Sequence, residues 1–148
     1  MKRVLLGLMV VVLAACSSGG QNTPAAGTTA PAGTPQTAPA GTATIKGRVL
    51  RPDGTPLAET SIRFPEVYRQ NGEAMFVLDE ARSPGSITDS EGNFAVVGIP
   101  AREYVMVVGD PYTNYVIILE TDGTKKVFNA PADQPLDIGE LKVDLKTP

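Results

Sequence analysis

No histidine and no tryptophan occur in the 148 residues, and cysteine occurs once, as Cys16. Without an imidazole the chain can form neither a Ser-His triad nor a His-based acid/base pair, and it lacks the usual zinc ligand sets. With one thiol it closes no disulfide within itself. It contains no G-x-S-x-G, no S-x-x-K and no Gly-rich phosphate loop. Aromatic residues are few, four Tyr and four Phe, so any sugar platform would be built from Tyr and not Trp. No segment carries apolar residues at helical spacing for three turns together with caps. The net charge of −3 leaves no basic footprint for nucleic acid. The expectation is therefore a non-enzyme with no catalytic residue, no metal and no cofactor.

What is present begins with the basic pair Lys2 and Arg3, then apolar Val4 to Leu13, then polar Ser17 and Ser18. That is a signal-peptide layout, and its apolar run is too short for a membrane-crossing helix of roughly 20 residues. Leu13-Ala14-Ala15-Cys16 resembles the lipobox of bacterial lipoproteins. The resemblance implies cleavage before Cys16 and a lipid on its thiol. Lipidation would also account for a lone cysteine that would otherwise meet an oxidising compartment unpaired. Burial of an acyl chain is worth about 0.8 kcal/mol per methylene, so two or three chains hold firmly where one holds marginally. Cleavage takes Lys2 and Arg3 from the 13 basic residues, leaving 11 against 16 acidic ones, a net charge of −5. The expected location is extracytoplasmic and membrane-anchored: the outer leaflet of the cell membrane, or an outer membrane in a two-membrane bacterium.

Residues 1–15 thus read as a lipoprotein signal peptide, 16–43 as the lipidated Cys16 and a tether, and 44–148 as one domain. From Ser17 to Ala43 the chain is almost entirely Ala, Pro, Gly, Thr and Ser, with no charge; TAPAGT at Thr29 to Thr34 returns at Thr37 to Thr42. Such a stretch cannot bury enough apolar surface to offset its ordering entropy. From Thr44 onward, apolar residues recur in short runs of period two between Gly, Pro, Asn and Asp clusters, the pattern of strands and turns. Ile45, Gly47 and Val49 alternate with Lys46 and Arg48; Leu141, Val143 and Leu145 alternate with Lys142, Asp144 and Lys146. Between these runs, strands are predicted near Ser61 to Phe64, Glu66 to Arg69, Ala74 to Leu78, Asn93 to Val97, Glu103 to Val108 and Tyr115 to Glu120. A weaker one covers Lys125 to Phe128. Asn71-Gly72 supplies the positive φ angles of a tight hairpin. The consecutive apolar residues of Tyr104 to Val108 and Tyr115 to Leu119 fit central strands covered on both faces, or an exposed binding face.

Gly47-x-Val49, Asp53-Gly54-x-Pro56-Leu57, Ile62, Thr88-Asp89-x-x-Gly92-x-Phe94 and Ile99-Pro100-x-x-x-Tyr104 together resemble a carboxypeptidase regulatory-like domain. The resemblance covers roughly Thr44 to Val108. It implies an all-β fold, a two-layer antiparallel Greek-key sandwich of transthyretin-like type with seven to eight strands, commonly a non-catalytic accessory or displayed module. Phe94 and Val96 would face the core. This chain departs from the family at Arg102, where a Gly is usual two residues before the Tyr, and at Glu59 and Thr60, where Gly-Ala is frequent. The segment from Pro65 to Gly85 is longer than the family core needs.

Function then reads as a membrane-tethered, surface-displayed structural or protein-interaction module of the cell envelope, anchored through the lipid on Cys16, with an envelope protein or a glycan as partner. The alternative is a carbohydrate-binding module whose candidate ligand-binding residues are Tyr112, Tyr115 and Tyr68. Asp89, Glu91 and Asn93 alternate around a Gly turn and offer oxygens to calcium. The run lacks the later bidentate acid of a dedicated calcium loop, so it reads as a turn.

Overall fold

The computed structural model describes residues 38–145; Cys16, the expected signal peptide and most of the expected tether lie outside them. The described residues form eleven strands and no helix. In chain order these are β1 (Thr42–Leu50), β2 (Ser61–Arg63), β3 (Val67–Gln70), β4 (Glu73–Phe76), β5 (Gly85–Ile87), β6 (Asn93–Pro100), β7 (Glu103–Val105), β8 (Val107–Asp110), β9 (Asn114–Ile117), β10 (Val127–Asn129) and β11 (Pro135–Lys142). One layer has the order β11-β1-β6, the other β5-β2-β8-β9, with β10 beside β7 and the β3-β4 hairpin continuing from β2. Neighbours distant in sequence, such as β1 with β6 and β2 with β8, require connections that cross between layers, as in a Greek key. The fold is an all-β two-layer sandwich.

Period-two alternation builds the interface between the layers. Ala43, Ile45 and Val49 of β1, Phe94 and Val96 of β6, Tyr104 of β7, Met106 between β7 and β8, and Val108 of β8 all join one buried cluster. Phe64, which follows β2, stands at its centre. Its ring lies 6.0 Å from Phe94, 6.5 Å from Tyr104 and 6.3 Å from Phe128, the last two edge-on, so it reaches aromatic rings of both layers. Val105 and Val107 point to the opposite face of their strand and are buried as well. The run from Tyr104 to Val108 is thus covered on both faces, whereas Tyr115 and Leu119 stay exposed, so the run from Tyr115 to Leu119 is not.

Four expectations need correction. The sandwich is not antiparallel throughout, because β1 pairs with β11 in parallel; period-two patterning fixes which face a residue takes but carries no strand direction. Eleven strands replace seven to eight: Gly85–Ile87 was too short to show a period, and Met106 divides one predicted run into β7 and β8. The last strand is Pro135–Lys142 and not Leu141 to Leu145. Pro135, Asp137 and Gly139 resemble turn composition, and the irregular step where Lys46 pairs Asp137 and Arg48 pairs Glu140 breaks the alternation. Finally, the domain starts before Thr44, since β1 begins at Thr42 and Ala43 is fully buried.

The turns explain why the short motifs occur. Asn71 and Gly72 take φ of 53° and 87°, and the β3-β4 hairpin closes around them. A Cβ on Gly47 would lie 2.7 Å from Ile138 and 2.9 Å from the Gly139 carbonyl oxygen, and one on Gly92 would lie 2.4 Å from the Val49 carbonyl oxygen. The buried Thr88 hydroxyl donates to the Leu57 carbonyl at 2.6 Å and accepts from the Thr60 amide at 2.9 Å, pinning the approach to β2. Arg102 keeps a negative φ, so the missing Gly there costs nothing, whereas Glu59 is held at φ 51°.

Two outcomes follow. Phe64→Ala should cost about 3–5 kcal/mol, a large part of the 5–15 kcal/mol typical of a domain, and chemical denaturation will read it as a collapsed midpoint. Glu59→Gly should instead stabilise by about 1 kcal/mol by relieving the left-handed conformation, a rise of several degrees in melting temperature; an unchanged or lower melt would refute that strain.

Candidate functional site

The sandwich has two distinct ends. Thr42, the first residue of β1, lies opposite Pro100, the last of β6, and β7 starts just after that turn. At the other end β8 passes into β9 through the turn that carries Tyr112, with Gly109 opposite Tyr115 and Asp110 opposite Asn114. From Tyr104 to Asp110 the strand spans about 20 Å. Tyr68, on β3 just beyond the pairing of Glu66 with Tyr104, therefore sits at the Thr42 end, and Tyr112 at the far one. The structure does not bring the three candidate tyrosines together. Tyr112, in the turn, is 81% exposed and Tyr115, on β9, 45%; Tyr68, 56% exposed, borders a cleft.

That cleft holds about 450 Å³ between the β3-β4 hairpin, residues 77–84 and the start of β7, and its walls include Glu66, Tyr68, Asp79, Arg82, Pro84 and Tyr104. Most of these lie within the long segment from Pro65 to Gly85. Length alone marked that segment; Glu66, Asp79, Arg82 and Pro84 carried no motif that singled them out. Glu66 accepts a hydrogen bond from the Arg102 guanidinium, and the Tyr68 hydroxyl approaches its other oxygen at 3.4 Å. Arg69 grips Glu103 with two hydrogen bonds of 2.8 and 3.0 Å, fixing the hairpin to β7. Asp79 accepts from the Ala81 amide at 2.9 Å, and Arg82 comes only to 3.7 Å of its carboxylate. The Tyr104 hydroxyl donates to the Pro100 carbonyl at 2.7 Å. Burial, reinforced by the nearby Glu66 charge and opposed by Arg102, pushes its ionisation up to about 12, so it remains a neutral phenol.

A second groove, of about 560 Å³, runs along β1, β6 and β11 and reaches Ser86 and Ile87 of β5. Its charges pair with each other, Lys46 with Asp137 at 3.2 Å and Arg48 with Glu140 at 3.0 Å. The Asp89 turn borders it. Asp89 accepts from the backbone amides of Glu91 at 2.9 Å and Asn93 at 2.8 Å and from the Asn93 side chain at 3.1 Å. Its oxygens are occupied by the turn, and among the described residues no three metal-ligating acids, His or Cys gather closely enough to hold an ion. Every carboxylate with a resolved shift is held below its ordinary range: Asp53 and Asp122 by a following Thr, Asp137 by the Gly139 amide and Lys46, Glu103 by Arg69. At Asp89 desolvation is the largest influence and acts upward, yet the Asn93 and Glu91 hydrogen bonds together with Arg48 outweigh it. Such acids stay ionised at neutral pH, unlike a general acid tuned upward toward neutrality.

No family model matches the sequence, and no curated protein does. Among solved structures, the chain is similar to a 9R-lipoxygenase from Cyanothece PCC8801, with 16% identity and a TM-score of 0.43 over 74% of this chain and 18% of that one. It is also similar to the dioxygenase domain of a dioxygenase carbohydrate-binding protein fusion from the cellulolytic bacterium Streptomyces sp. SirexAA-E, with 16% identity and a TM-score of 0.42 over 74% and 86% of the respective chains. Neither likeness bears on what this chain does.

The Asp89 turn makes an acid-sensitivity prediction. Because its folded ionisation lies below the unfolded one, the stability it contributes is present above the unfolded value near 3.8 and is lost as pH falls through the folded value. Melting temperature should therefore fall as pH drops below about 4, and Asp89→Asn should flatten part of that fall. Identical acid profiles for the two proteins would remove Asp89 from the account.

Proposed function

We propose that this chain is a lipoprotein of the bacterial envelope, lipidated on Cys16, whose low-complexity segment tethers a non-catalytic module of carboxypeptidase regulatory-like, transthyretin-like type. The observation that carries this reading is the sequence from Lys2 to Cys16, a basic start and a short apolar run ending in Leu13-Ala14-Ala15-Cys16. The path of the chain supports a display role: it enters the sandwich at Thr42 and leaves the Tyr112 turn exposed at the opposite end. The downward-held carboxylates and the absence of histidine support a role in structure or protein interaction over catalysis.

The test is membrane fractionation with intact-mass analysis. Wild type should sediment with membranes and carry added acyl mass on Cys16; Cys16→Ala should be released or remain an uncleaved precursor. A cleaved wild type without acyl mass would end the lipoprotein reading. A second reading, a carbohydrate-binding module, is favoured by one observation, the half-exposed Tyr68 at the mouth of a cleft.

A further inference from the structure

We infer that the cleft at the Thr42 end of the sandwich is a saccharide site for one neutral pyranose ring within a longer glycan, with the Tyr68 ring as its stacking platform. This inference rests on the carbohydrate-binding reading and moves its centre from the Tyr112 turn to Tyr68. The volume of about 450 Å³ falls in the range of small-molecule sites, roughly 300–1,000 Å³. Tyr68 and Met75 pair across the hairpin, and Val77 follows on the same face; all three are exposed. The β6 strand ends at Pro100, which itself lines the cleft, so among the described residues no strand of that layer continues over this face. A pyranose ring is apolar on its C–H faces and polar around its rim. It can lie flat on an aromatic ring while its hydroxyls meet side groups.

The polar groups suit that rim. Glu66 and Arg102 form one ion pair at the cleft, and Asp79 and Arg82 form a second, looser one. Glu66, Asp79 and Arg82 line the cleft, and Arg102, outside that lining, neutralises Glu66, so an anion would meet Glu66 and Asp79 and a cation would meet Arg82. A neutral polyol meets acceptors and donors together. Arg82, largely exposed and 3.7 Å from Asp79, is too far for a firm hydrogen bond to its partner and has five N–H donors to offer. The Arg69–Glu103 pair and the Arg102–Glu66 pair fix both strands beneath Tyr68, so the platform is held before any ligand arrives, which reduces the ordering cost of binding.

The test is isothermal titration of the detergent-extracted full chain with four neutral hexasaccharides: β-1,4-glucose, α-1,4-glucose, β-1,4-mannose and β-1,4-N-acetylglucosamine. At least one should bind. Tyr68→Ala should weaken it by about tenfold or more, equivalent to about 1.4 kcal/mol, while Tyr68→Phe and Tyr112→Ala stay near wild type with unchanged melts. Should Tyr68→Ala fail to fold, Arg82→Ala at the largely exposed guanidinium replaces it, and the same hexasaccharide should then bind measurably more weakly. Affinity that survives these variants, or that falls with Tyr112→Ala instead, overturns this site and leaves the carbohydrate reading standing. Failure of all four glycans to bind overturns both.

Discussion

Phe64 holds the two layers in register. It follows a strand of only three residues and precedes a proline, so little of its position is secured by ladder hydrogen bonds. What fixes it is the ring set of Phe94 from one layer and Tyr104 and Phe128 from the other. Aromatic pairs at such separations add about 0.5–1.5 kcal/mol beyond the area they bury, and each depends on the angle of its neighbour. Once Phe64 is seated, the Tyr104 hydroxyl falls on the Pro100 carbonyl, β7 is aligned, and the floor of the cleft beneath Tyr68 is set.

Charge in this domain is arranged for geometry. Asp53, Asp89, Asp122 and Asp137 each accept an amide two residues ahead, the side chain standing in for a backbone turn. The cross-strand pairs of Lys46 with Asp137 and Arg48 with Glu140 run along the parallel ladder, and exposed pairs of that kind contribute little to stability. The acidic excess is thereby distributed through turns and strand surfaces, and the cleft is nearly neutral.

The layers, the inward residues and the hairpin turns were legible from the sequence because each rests on local chemistry: period two for Ile45 and Val96, positive φ for Asn71-Gly72, a side-chain cap for Asp89. Strand direction and the course of β11 were not, because both depend on pairing across the whole domain. The hub role of Phe64 escaped for the same reason, since its partners come from three distant strands. The candidate site was half legible. Tyr68 stood out as an aromatic in a long segment, yet only the folded chain places Glu66, Asp79, Arg82 and Pro84 around it and carries Tyr112 to the other end.

The parallel pairing of β1 with β11 has a mechanical consequence. Thr42 opens β1 at one end of the sandwich and Lys142 closes β11 at the other, with β6 flanking β1 on its second side. Tension applied between those two residues runs along the strands, so it loads the rungs of the ladder together in shear and does not peel them open one by one. A hairpin pulled from its two adjacent ends would unzip under far less force. The strand through which the chain enters the domain is thus also the one best placed to resist being drawn out of it.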